Sequence, residues 1–340
     1  MQITPVHIGF LVLMGLTQAL NPALSQPKAV ELRYSSGAPP SGNPWVMQIN
    51  RLVKDVEEES KGELKIVPFF GSQLGSEQDT VQQVARGRID MGGYSSGSAA
   101  LIVPEVALLI MPFYFNTTAE LDCVLDNHVA KPLAELFAKK GVQFLGFAEV
   151  GTIDYFGKKA YANPADVKGI KVGSYANKSS EIYNRTVGSN PIPLGLPEWI
   201  PSIQTGLVEV IGSPITFALP SGLTKVAPVA TRVGLYDSAS YTLMNKATYD
   251  KLGKDQQDSL LRAIARNSPA KMRVEVRGFE NTLYGMHEKA GGQVVNITQA
   301  QRDAWRAATE PMYPVLVKET GGNAEAFFAV MEAGRKACSK

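Results

Sequence analysis

The sequence predicts an α/β protein built as two lobes, with a long helix bracing them. Three observations predict it. The chain has 340 residues, more than the size at which one hydrophobic core usually keeps growing. Two series of residues, one starting near 30 and one near 144, alternate strand patterns with helix patterns, which is the rhythm of parallel strands joined by crossover helices. A helical pattern from Ser268 to about Lys289 ends at Gly291-Gly292 and would be about 30 Å long, enough to touch both halves.

Taken in order, the first segment differs from the rest. An apolar stretch over residues 8–20 is followed by Asn21-Pro22 and then Ala23-Leu24-Ser25, with small residues at the two positions a signal peptidase reads, so residues 1–25 read as a cleaved export signal. The leading region carries no Lys or Arg and offers only His7 and the terminal amine as positive groups. A stable membrane anchor is the weaker reading, because a span needs about 20 apolar residues.

Residues 30–34 alternate like a strand, and Ser35-Ser36-Gly37-Ala38-Pro39-Pro40 breaks it. Asn43 then caps a helix with Pro44 at its first position, and Trp45, Ile49, Leu52, Val53 and Val56 mark its apolar face. Residues 64–69 form a second strand, Ser76 opens a helix that ends at Gly87, and residues 89–93 form a third strand. The apolar block at 101–115 is interrupted by Pro104, Glu105 and Pro112, which predicts buried core and not membrane. The second series has strands near 144–147, 169–172 and 208–211, with helices near 179–187 and from Glu198. In the long helix, Met272, Val276, Phe279, Leu283 and Met286 recur at helical spacing.

Composition narrows the function. Hydrophobic residues at 44% and charged residues at 19% describe a folded globule. Lys plus Arg total 34 against 32 for Asp plus Glu, with no basic cluster, so nucleic acid is excluded as a partner. The few histidines stand in no ligand-spaced group, no phosphate-loop or dinucleotide glycine pattern occurs, and no metal or cofactor is expected. Cys123 and Cys338 are the two cysteines; export would permit a disulfide, and the sequence leaves open whether they pair or stay as buried thiols. Four matches to the N-glycosylation pattern, at Asn116, Asn177, Asn184 and Asn296, would carry no meaning if the chain is exported to a bacterial periplasm.

An ordered set of segments is more specific: Gly71-Ser72-Gln73-Leu74-Gly75-Ser76-Glu77, Gly87-Arg88-Ile89-Asp90-Met91, Pro104-Glu105, Met111-Pro112-Phe113, Ala165 through Val172, and Glu198 through Gly206. Together they resemble the extracytoplasmic solute-binding proteins of tripartite ATP-independent periplasmic (TRAP) transporters, in the dicarboxylate-binding (DctP-like) branch. The resemblance implies a periplasmic binding protein-like fold and residues 27–148 with 238–280 as lobe I. It implies 149–237 with 281–325 as lobe II, and 326–340 as a C-terminal helix packing on lobe I. It implies strands crossing between lobes near Glu149 and Tyr236, and a cleft that closes on a small organic solute like a hinged clamp. It also implies a monomer in the periplasm that hands its solute to integral-membrane permease subunits.

The resemblance breaks at the substrate clamp. Relatives hold a carboxylate with a guanidinium whose planar fork matches two oxygens; Gly173 stands at that position here, beside Ser174. Ile153 replaces a second common Arg, and Ser213 replaces an Asn. Glu149, Asp154 and Asp237 lie on segments expected to border the cleft, which points to a neutral or amine-bearing solute held by Asp154 or Glu149, with Tyr155, Trp199, Phe217 and Tyr236 as walls. The acids could instead face solvent or pair with Lys171 and Lys159. Ser36, Ser95 and Ser96 map to ligand-bonding positions in lobe I, where Ser95 and Ser96 could equally cap the next helix. The alternatives are an organic acid bound in a non-standard mode, an exported adaptor, and a serine hydrolase using Ser95 in Gly93-Tyr94-Ser95-Ser96-Gly97. The hydrolase needs a base, and the mature chain offers only His128 and His287.

Overall fold

The computed structural model describes residues 1–2, 29–40 and 43–339. The export signal read over residues 1–25 therefore lies almost wholly outside the described residues. The strands, in chain order, are β1 (Val30–Ser36), β2 (Leu64–Phe69), β3 (Met91–Ser95), β4 (Val142–Thr152), β5 (Asp154–Gly157), β6 (Lys171–Ser174), β7 (Asn190–Pro193), β8 (Val210–Ser213), β9 (Val229–Arg232), β10 (Asp237–Asn245) and β11 (Gln293–Asn296). They form two sheets. Lobe I has the order β2-β1-β3-β10-β4, and lobe II has β11-β9-β5-β8-β6-β7.

Parallel pairing holds within each series, as in β1 with β2 and β3 and in β6 with β7 and β8. The sequence rhythm did not foretell the strands that arrive from the other lobe. β10 runs antiparallel to both β3 and β4, and β5 runs antiparallel to both β8 and β9. A strand that enters from the partner lobe comes from the cleft side, opposite to strands built by crossover helices, so each sheet is mixed. The chain passes between the sheets at residues 152–154 and again at 233–236. There Ile153 N donates to Tyr236 O at 2.9 Å and Leu235 N donates to Ile153 O at 2.9 Å, making a two-stranded hinge.

Local signals account for the helices that frame it. Asn43 Oδ1 accepts from Trp45 N at 2.8 Å, and Trp45, Ile49, Leu52 and Val56 are buried along one face of the helix Pro44–Glu59. Ser76 caps Glu77–Ala85, and Ser268 caps the long helix Pro269–Lys289. This bracing helix packs on Pro44–Glu59 and β4 in lobe I and on Ile215–Ser221 and β11 in lobe II. Its apolar reading needs one correction: Met272, Val276 and Leu283 are buried, but Met286 is 51% exposed, while the polar Arg273, Glu280, Tyr284 and His287 are buried in its place. Ion pairing and hydrogen bonding at the hinge override the apolar period there.

The block at 101–115 folds as a buried 3₁₀ segment, Pro104–Ile110, in the main core, and no described helix is long and apolar enough to cross a membrane. The C-terminal helix Ala324–Cys338 packs on lobe I, where Cys338 is disulfide-bonded to Cys123. The pairing left open by the sequence is thus made, closing a loop of 215 residues.

Candidate functional site

The lobes touch across the cleft. Asn43 Nδ2 of lobe I donates to Thr216 O of lobe II at 2.7 Å, Ser179 Oγ of lobe II donates to Ile110 O of lobe I at 3.0 Å, and the Trp45 and Phe217 rings lie 5.6 Å apart. Between them is a cavity of about 40 Å³, walled by Ile110 and Pro112 from lobe I, by Ile153 and Tyr236 from the hinge, and by Tyr155, Gly173, Ser174, Tyr175, Asn177 and Tyr183 from lobe II. Among the described residues, no Lys or Arg lines it.

Strand alternation decides which groups reach this cavity. Ile153 and Tyr155 face it, whereas Thr152 and Asp154 face the opposite side of the hinge. The Tyr155 and Tyr183 hydroxyls are 3.0 Å apart and form a buried polar pair in the wall. Burial raises the titration of both, with each tyrosine hydrogen-bonded to the other.

At Gly173 there is no room for the clamp that the resemblance would place there. A Cβ added at Gly173 would stand 2.9 Å from both Ile211 Cγ1 and Leu194 Cδ1, so the space is filled by apolar side chains of the sheet's packed face. Trp199, expected as a cleft wall, is buried behind Tyr175, with ring centroids 5.8 Å apart. Phe217 belongs to the lobe–lobe junction with Trp45 and does not line the cavity. Ser213 is fully buried, with its hydroxyl on Pro214 O at 3.0 Å.

In lobe I, Ser36 Oγ accepts from Ala38 N at 3.1 Å and Ser96 Oγ donates to Ala239 O at 2.9 Å. Ser95 does not cap the short helix after it; its hydroxyl donates to Glu77 Oε2 at 2.6 Å. Ser95 N at 3.2 Å and Ser98 Oγ at 3.0 Å donate to the same oxygen. Glu77 is buried, and burial raises its titration while these donors hold it down. A Cβ on Gly37 would meet Glu77 Oε1 at 2.8 Å, which places the second carboxylate oxygen beside the loop after β1. Among the described residues no histidine serves Ser95: the His128 ring packs against Gly334, and His287 Nε2 bonds Pro228 O at 3.0 Å. The elbow pattern is therefore a turn without a base.

The three acids expected at the cleft are engaged behind the hinge. Asp154 accepts from Gly234 N at 2.7 Å and from the Tyr284 hydroxyl at 2.6 Å; burial pushes it up to about 6. Glu149 meets Arg277 Nη2 at 3.2 Å, and burial pushes it up to about 8 even so. Asp237 accepts from Thr152 Oγ1 at 2.6 Å, and burial raises it as well. Neither Lys171 nor Lys159 is a partner; Lys159 sits over the Tyr161 ring at 5.5 Å. Arginines and tyrosines of the bracing helix take the role that those lysines were expected to fill. Sequence reasoning missed Glu280, whose Oε1 accepts from Thr152 N at 2.8 Å, and it missed Tyr183. Both belong to helices whose polar positions look solvated until the partner strands are in place.

The comparisons with known proteins agree with this architecture. Residues 35–320 match the family model described as bacterial extracellular solute-binding protein, family 7 (DctP). The chain belongs to that family. It is 28% identical over 279 residues to the 2,3-diketo-L-gulonate-binding periplasmic protein YiaO of Escherichia coli K12, covering 82% of this chain and 84% of the relative. A TRAP periplasmic solute-binding protein of Polaromonas sp. JS666, solved with D-erythronate, superposes with a TM-score of 0.82 at 25% identity, covering 89% of this chain and 98% of that one. The sugar acid-binding protein of Advenella mimigardefordensis, solved with galactonate, gives 0.85 at 22% identity, covering 92% and 99%, and speaks for the fold alone. As a TRAP-type solute-binding protein with two lobes, the molecule works by binding and not by catalysis; the family acts outside the cytoplasm, alongside membrane permease subunits.

Proposed function

We propose that this solute-binding protein captures a neutral or amine-bearing small organic solute in the interlobe cleft, after export to the periplasm by the segment 1–25, and delivers it to its TRAP permease. The observation that carries this reading is the charge of the cleft. Among the described residues no cation lines the cavity, while the buried carboxylate of Glu77, on lobe I and close enough to act on the Tyr175 hydroxyl of the cavity wall, keeps one oxygen free of protein donors. A carboxylate ligand brought there would lose water without gaining a guanidinium, whereas an ammonium would gain a charge-assisted bond. Tyr155, Tyr175 and Tyr236 supply aromatic surface suited to the hydrocarbon or cationic part of such a solute, with Gly173 and Ser174 beside them in the wall.

A second reading is favoured by relatives whose names or bound ligands are organic acids, among them 2,3-diketo-L-gulonate and D-erythronate. In it, a hydroxy acid is held by hydroxyl and amide donors such as Ser174, Asn177 and Tyr183. Thermal-shift screening followed by calorimetry separates the two. Amines or polyols should stabilise the protein, and Glu77→Gln should weaken an amine at least about tenfold. Tight binding of D-erythronate or galactonate that survives Glu77→Gln would overturn the first reading in favour of the second.

A further inference from the structure

A second cavity lies behind the hinge. Its volume is about 190 Å³, and it is walled by Phe113, Phe115 and Leu121 of lobe I, by Thr152 and Asp237 of the crossing strands, and by Arg302 of lobe II, on the helix Gln299–Thr309. Tyr236 stands between it and the cleft, lining both. Two charges of opposite sign face this space without pairing. Among the described residues, Arg302 has no carboxylate within ion-pair distance; its guanidinium lies 5.6 Å from the Phe113 ring centroid and reaches only Val233 O, at 3.5 Å. Asp237 uses one oxygen to accept from Thr152 and keeps the other free of protein donors, and Arg302 is near enough to favour its charged form.

An unpaired guanidinium and a half-engaged carboxylate across an aromatic-walled space are complementary to a ligand that carries both charges. We propose that this back cavity binds a small zwitterion bearing an ammonium, received by Asp237, and a carboxylate, received by Arg302. Its walls come from both lobes and from the hinge. Phe113, held at φ +59°, ties the lobe I loop to the hinge by donating from N to Leu235 O at 2.8 Å. Opening the lobes changes the spacing of these walls, so the zwitterion binds one hinge state better and shifts the clamp toward it. By reciprocity, the solute in the cleft alters the affinity behind the hinge.

The test is calorimetry on the full exported chain with glycine, β-alanine and 4-aminobutanoate, with acetate and methylammonium as half-ligands. At least one zwitterion should bind saturably and more tightly than either half-ligand, and Asp237→Asn and Arg302→Gln should each weaken it at least about tenfold. The Asp237→Asn variant keeps an acceptor for Thr152, and the partly buried Arg302 belongs to no described ion pair, so thermal melts should stay close to the parent. An amine-bearing zwitterion could also enter the cleft, so Glu77→Gln is run in parallel: loss there with retention in the two hinge variants assigns the heat to the cleft and overturns the proposal. No saturable binding by any of the three also overturns it. A radius of gyration by small-angle scattering that is unchanged by a bound zwitterion would overturn the coupling to closure.

Discussion

The two faces of the hinge differ more than the two lobes do. Toward the cleft, the crossing strands present Ile153, Tyr155 and Tyr236, and nothing charged. Toward the bracing helix, the same strands present Glu149, Thr152, Asp154 and Asp237 to Arg277, Glu280 and Tyr284. Further along that face, Arg273 is bonded to Asp126 at 2.6 Å, and Arg277 reaches Asp122 with both terminal nitrogens. Residues 152–155 alternate between the faces with the pleat, and a register shift opposite Ser238 and Ala239 brings Glu149 to the same side as Thr152. The ionic face ties the strands to the bracing helix, which touches both lobes. Gly151 belongs to the tied face: a Cβ there would lie 2.5 Å from Glu280 Oε1, and its φ of +120° suits glycine.

The largest effect should come from breaking the ionic face. Arg273→Ala leaves Asp126 and Glu149 short of a partner around a side chain that is 3% exposed, and the expected loss in chemical denaturation is about 3–5 kcal/mol. A loss below about 1 kcal/mol would show that the network carries little of the stability and would erase the contrast between the faces.

Removing the Cys123–Cys338 bridge by a double Ala substitution should cost about 2–4 kcal/mol, because it frees the C-terminal helix from lobe I and releases a long loop in the unfolded chain. Unlike the hinge variant, it should leave solute affinity unchanged in titration, since the bridge touches neither face of the hinge.

Next in size is Gly173→Arg. The side chain would enter the space held by Ile211 and Leu194, and overpacking there should cost about 1–3 kcal/mol. It should confer no affinity for short dicarboxylates. Gain of succinate binding would mean that the packed face opens easily and that the missing guanidinium alone sets selectivity.

The faces also differ in their response to pH. Burial pushes Glu149 and Glu280 up to about 8, from an ordinary 4.5. Each therefore holds a proton more tightly folded than unfolded. Its contribution to stability is present at low pH and is lost as pH rises through about 8. Thermal midpoints should fall across that window, and Glu280→Gln, which still accepts from Thr152 N, should flatten the fall and raise the midpoint at pH 9 by a few degrees. An unchanged profile in this variant would remove Glu280 from the account.

The smallest effect belongs to the smooth face: Tyr155→Phe deletes one side of the Tyr155–Tyr183 hydroxyl pair and should cost about 0.5–1.5 kcal/mol. Its use is in solute titrations, where a larger loss of affinity than of stability would place the hydroxyl pair on the ligand.

Much of the architecture was legible along the chain. Caps at Asn43, Ser76 and Ser268, the apolar face of Trp45, Ile49, Leu52 and Val56, and the strand at 64–69 are local signals, readable because a cap or a hydrophobic period depends on neighbours within a turn or two. The same holds for the ordered segments from Gly71 to Gly206 that indicate the family. The reach of the acids was not legible. Glu149, Asp154 and Asp237 sit near the crossings in sequence, but which face each one takes depends on where the strand register begins, and its partners stand on a helix more than a hundred residues later along the chain for Glu149 and Asp154.

By itself, then, the sequence determined two α/β lobes, a bracing helix and the ordered segments that mark the family, because composition and short-range periodicity encode burial and chain direction. Tertiary structure alone decided that β5 and β10 enter their sheets antiparallel, that Cys123 meets Cys338, that Trp199 and Phe217 leave the cleft wall, and that the acids turn to the back of the hinge. Those outcomes depend on long-range pairing and on the cost of burying charge without a partner, and a polar side chain's surroundings are set only when the whole chain has closed around it.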